Sequence, residues 1–80
     1  MVTIHRESGL RFAILTNDHE PAHVHVYGDG EAKILIRRAD GMPELIYAIG
    51  LKASERRRAM DVVLERQDRF LSKWSEIHGE

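Results

Sequence analysis

Between His23 and Arg37 the chain carries two runs of alternating side chains, His23-Val24-His25-Val26-Tyr27 and Glu31-Ala32-Lys33-Ile34-Leu35-Ile36-Arg37, separated by Gly28-Asp29-Gly30. A period of two is that of a β-strand, and glycine supplies the positive φ that tight turns need. The segment therefore predicts a β-hairpin, and the hairpin constrains everything else. Val24, Val26, Ala32, Ile34 and Ile36 fall on one face; His23, His25, Tyr27, Lys33, Leu35 and Arg37 fall on the other. The apolar face has to be covered by another element.

The rest of the chain supplies that cover. Val2 and Ile4 suggest a short strand, Arg11 to Leu15 a second one closed by Thr16-Asn17-Asp18, and Glu44 to Ile49 a last one ended by Gly50. Ser54 is a good helix N-cap. After it Met60, Val63, Leu64, Phe70, Leu71, Trp74 and Ile77 recur at three- and four-residue steps, and Gly79 stops the pattern. The expected fold is a single α+β domain over residues 1–80. Its three- to five-stranded, mainly antiparallel sheet lies within residues 2–49, and one long C-terminal helix, about 55–78, packs on one face. A chain of 80 residues buries only about 60% of its unfolded surface. It has no cysteine, so neither a disulfide nor a thiolate metal site can staple the fold. No apolar run approaches the roughly 20 residues of a membrane span. Met1 to Glu7 lack the apolar core of a secretion signal, so a cytoplasmic location is expected.

Net charge is −1, which argues against a protein that wraps nucleic acid by bulk charge alone. Local charge can still act. Lys52, Arg56, Arg57 and Arg58 gather at the helix start, where the helix dipole disfavours cations, and Arg37 lies on the hairpin. These five are the candidate binding residues for an anionic partner such as RNA or DNA. The same arginines also have Asp61 and Glu65 at pairing distance along a helix, which is the ordinary reading of a solvated face. Phe70 and Trp74 continue the buried stripe and are expected in the core.

The chemistry-bearing residues concentrate in one stretch. His19, His23 and His25 are the candidate catalytic residues, with Tyr27 and Lys33 on the same hairpin face. One imidazole can take a proton, a second group can return it, and a cation can hold the charge that develops on a phosphodiester. His23 and His25 can also close on one divalent metal ion, with His19 or Asp18 arriving from the preceding turn. No cofactor is assigned on spacing alone. Asp18, with Pro21, has a structural role too: its carboxylate can satisfy turn N–H groups and can also accept from an imidazole N–H.

Read together, Asp18-His19-Glu20-Pro21-Ala22-His23-Val24-His25-Val26, the turn Gly28-Asp29-Gly30, Glu31-Ala32 after it, and Phe70-Leu71-Ser72-Lys73-Trp74 near the end resemble a small bacterial family known as domain of unknown function 4160. Ala22 stands where that family usually has a second proline. The residues that the resemblance carries over are Asp18, His19, Pro21, His23, His25, Gly28, Glu31, Ala32 and Trp74. It implies a component of a toxin–antitoxin-like module that binds a small protein partner encoded by a neighbouring gene. Two other functions are weighed beside it: an RNA-directed phosphodiesterase using the His23/His25 face, and a nucleic-acid-binding regulator. A homo-oligomer is compatible with all three.

Overall fold

Successive reversals lay the first fifty residues out as a meander. Ser8 and Gly9 both take positive φ, 55° and 76°, the backbone of a two-residue hairpin turn. The computed structural model describes residues 1–79. Its strands are β1 (Val2–Glu7), β2 (Leu10–Ile14), β3 (His23–Tyr27), β4 (Glu31–Leu35) and β5 (Glu44–Ile49), followed by helices α1 (Ala53–Glu65) and α2 (Gln67–His78). The five strands pair antiparallel in sequence order. No described helix is long and apolar enough to cross a membrane.

The predicted hairpin is β3–β4, with Val24 opposite Ile34 and His25 opposite Lys33. Its glycines serve a different purpose from the one expected. Neither Gly28 nor Gly30 has a positive φ; the positive-φ glycines are Gly9, Gly41, Gly50 and Gly79. Gly30 is needed because the backbone after β5 passes directly over it. A Cβ there would collide with the Ile49 carbonyl oxygen and lie 2.7 Å from the Gly50 Cα.

The apolar face is covered as the alternation requires. Phe12, Ile14, Val24, Val26, Ile34 and Ile36 are wholly buried against Val62 and Val63 of α1 and Phe70 of α2. The cover is two helices, not the single long one expected. Arg66 leaves helical geometry at φ −122°, ψ 25°, and its N–H reaches the Val62 and Val63 carbonyls. Val63, Phe70 and Ile77 keep a seven-residue spacing across the break, so the sequence reads as continuous. The break places Gln67 in the interior, where its amide donates to the Ile36 carbonyl at 2.8 Å and the Gly41 carbonyl at 2.9 Å. Leu64, expected in the stripe, is 43% exposed; Ala59 and Val62 take the buried positions instead. The helix also starts earlier than a Ser54 cap implies. Lys52 is the N-cap, and the Glu55 carboxylate accepts from its backbone N–H at 2.9 Å.

Glu7 ties the outer strand to the helices. Its carboxylate contacts His5 Nε2 at 2.9 Å and Arg66 at 3.1 Å, and it pairs with Arg58. The His5 bond, aided by Arg66 and Arg58, holds the Glu7 carboxyl below the usual carboxylate range. A depressed folded-state value stabilises the fold above the unfolded value, around pH 4.3, and that contribution disappears as pH falls through the folded value. Glu7→Gln is therefore expected to flatten the acid limb of the Tm–pH curve; an unaltered limb would show the network to be neutral. Gly30→Ala is expected to cost about 1–3 kcal/mol, because backbone and not a flexible side chain must yield. Thermal unfolding measures it, and a Tm within a degree of the parent would contradict the close approach.

Candidate functional site

Strand alternation sends His23 and His25 to the face opposite the core, and the loop between β2 and β3 folds back over them. Residues 15–22 turn at Asp18, whose N–H donates to the Leu15 carbonyl at 3.1 Å, and the Glu20–Pro21 peptide is cis. The Asp18 side chain does not go to turn N–H groups as expected. One carboxylate oxygen, Oδ2, lies 2.8 Å from His23 Nε2 and 3.2 Å from His25 Nε2. The two rings meet edge to face with centroids 5.2 Å apart.

His23 is held from every side. Its Nδ1 donates to the Pro21 carbonyl at 3.0 Å. Its ring packs 5.1 Å from the Trp74 indole, whose Nε1–H donates to Glu20 at 3.1 Å and whose ring stacks on His78 at 4.0 Å. The expected open, solvated sheet face is thus closed at its centre: His23 is 5% exposed and His25 9%. Both ring nitrogens of His23 lie within hydrogen-bond reach of an oxygen, Nδ1 of the Pro21 carbonyl and Nε2 of the Asp18 carboxylate. Trp74 is core, as its spacing predicts, and it is also the wall of the site. The helical period shows only the first role. Glu20 lies within the motif of residues 18–26, but nothing in its spacing marks it as the partner of a distant indole.

Other candidates surround this centre. Tyr27 stacks beside His25 at 6.5 Å with the Arg11 guanidinium 4.8 Å above its own ring. Lys33 faces His25 across the β3–β4 ladder. A cleft of about 350 Å³ opens next to the imidazoles, bounded by Asp18, His19, His23, Lys33, Leu35 and Ile46. His19 is exposed at its rim. Gly28 and Glu31 shape the neighbouring hairpin end, where the Tyr47 hydroxyl donates to Glu31 at 3.3 Å, while Ala32 is core. Burial, with the Glu31 carboxylate nearby, raises the Tyr47 phenol above its ordinary value.

The five candidate binding residues for an anionic partner are not brought to the cleft. Arg37 pairs with Asp68 at the start of α2, 3.0 Å away. Arg56 donates to the Leu51 carbonyl at 2.7 Å, Arg58 serves Glu7 and Ser8, and Lys52 lies 4.0 Å from Asp29. Of that helix-start group, Arg57 alone has no hydrogen-bond or ion-pair partner among the described residues.

A family model described as a domain of unknown function, DUF4160, matches residues 9–75. No curated protein and no solved structure matches the chain. Replacing Asp18 by Ala would leave the inward nitrogens of two buried imidazoles without their shared polar partner. The expected loss is about 1–3 kcal/mol, read as a lowered urea midpoint with an unchanged slope. Unchanged stability would mean that the carboxylate contributes nothing to holding the rings.

Proposed function

The chain belongs to the DUF4160 family, and we propose that it works as one component of a toxin–antitoxin-like module, binding a small protein partner along β5. One observation carries this reading. Ile46 lines the cleft beside the imidazoles and is also 48% exposed on an edge strand. No described strand pairs with the outer edge of β5, and Tyr47 and Ile49 stand exposed along it. A free edge flanked by apolar side chains suits strand addition, in which backbone hydrogen bonds give affinity and side-chain contacts give specificity. A partner strand docked there would stand at the mouth of the cleft. Binding and control of the site would then be one event.

A second reading, RNA-directed phosphodiester cleavage, is supported by the cleft itself. Lys33 supplies a cation and His19 an exposed imidazole beside Asp18 and His23. In this reading Lys33 holds the anion and His19 moves the proton, while His23 lines the cleft with its Nε2 against Asp18.

Co-expression with the product of the neighbouring gene, followed by gel filtration at micromolar concentration, tests the pairing. The two chains are expected to co-elute, and Ile46→Lys with Ile49→Lys is expected to abolish this. Both side chains are exposed, so the Tm should move little, on the order of 0.5 kcal/mol equivalent or less for each. Separate elution of the unsubstituted proteins would sink the pairing. Cleavage of a labelled RNA by the isolated chain, lost in Lys33→Ala, is the result expected of the second reading; intact RNA rules it out.

A further inference from the structure

His23 raises a question of proton count. Its Nδ1 faces the Pro21 carbonyl oxygen at 3.0 Å, an atom that only accepts, so Nδ1 carries a hydrogen. In the neutral ring Nε2 is then a bare lone pair, yet it lies 2.8 Å from a carboxylate oxygen, another lone-pair atom. The Nε2 of His25 approaches the same oxygen at 3.2 Å. Something electropositive, a proton or a metal ion, has to lie between these atoms.

We infer that Asp18, His23 and His25 form the binding site of one divalent first-row transition ion, with Zn²⁺ as the ordinary occupant. One ligand atom from each residue lies within 4.8 Å of the other two. Tetrahedral zinc with bonds of about 2.0–2.1 Å spaces its ligand atoms roughly 3.3 Å apart, so small side-chain movements suffice. Two imidazoles and a carboxylate suit such an ion, whereas Mg²⁺ prefers an all-oxygen shell with retained water. The outer contacts are those of a ligand histidine. The Pro21 carbonyl fixes the His23 tautomer with Nε2 inward, and Trp74 fixes the ring plane. His23 and His25 sit on a central strand, so their separation is set by the sheet.

Three protein ligands leave a further position free, as in catalytic zinc sites. Asp18 and His23 both border the cleft, so that position faces the cleft, toward His19 and Lys33. A water or an anionic oxygen of a substrate would occupy it. One His23 nitrogen anchored on a carbonyl and the other turned toward Asp18 is the arrangement a metal ligand requires. The site does not depend on partner binding and is tested without any partner.

The full chain, stripped with a chelator and dialysed, is titrated with ZnCl₂, CoCl₂ and MgCl₂ by calorimetry. One Zn²⁺ per chain is expected at micromolar affinity or tighter, with Co²⁺ giving visible d–d absorption and Mg²⁺ giving no heat. At a hundredfold excess over Kd the Tm should rise on the order of 10 °C. Asp18→Asn and His25→Gln should each weaken Zn²⁺ binding at least tenfold. Should a variant fail to fold, imidazole ¹⁵N spectra of the unsubstituted protein decide: Zn²⁺ should shift the Nε2 signals of His23 and His25 and leave His5 and His78 in place. No heat with millimolar Zn²⁺, undiminished binding in the folded variants, or shifts confined to His5 and His78 would overturn the inference.

Discussion

Val24 and Val26 share a five-residue strand with His23 and His25, so the burial that fixes the core also fixes the site. A slip of one residue in β3 would put both imidazoles into the apolar layer and both valines under the polar loop. Each valine is worth roughly 1.5–3 kcal/mol when buried, which sets the register firmly. The position of the site is therefore a by-product of hydrophobic packing. Its chemistry then depends on what the β2–β3 loop lays over the opposite face.

That loop explains why the fold was more legible in the sequence than the site. The hairpin, the two faces of β3 and β4, and the buried stripe of Phe70 and Trp74 all follow from local periods, and local periods survive folding. The same reasoning treated the opposite face as open to solvent, because alternation says which way a side chain points and nothing about what covers it. Spacing leaves Asp18 a choice between the N–H groups of its own turn and a nearby imidazole, and only the folded loop decides. Its carboxylate reaches β3, five and seven residues on. The helix break at Arg66 was invisible because the seven-residue spacing of Val63, Phe70 and Ile77 runs through it. What marks the break is Gln67, a buried amide whose two carbonyl partners lie in the segment joining β4 to β5.

The charged residues teach a similar lesson about clustering. Lys52 and the three arginines after Glu55 look like a patch when read along the chain. In space Arg58 turns back to β1, Arg56 to the backbone at Leu51, and Lys52 toward Asp29. Arg37, which shares the parity of His23 and His25, lies beyond the end of β4 and joins α2. Lys33 is different because the ladder itself holds it opposite His25, so its place beside the cleft survives.

The strict order of the sheet has a kinetic side. Each strand pairs with the one made just before it, and the reversals between them run from two residues to eight. Such nearest-neighbour connectivity keeps loop-closure entropy low for a β-rich domain and favours rapid formation. On a ribosome, Asp18, His23 and His25 all emerge before either helix. The three groups that face one another can meet while the apolar side of the sheet is still bare. Trp74, which follows the whole sheet in the chain, then seals the core and clamps His23 in the same step.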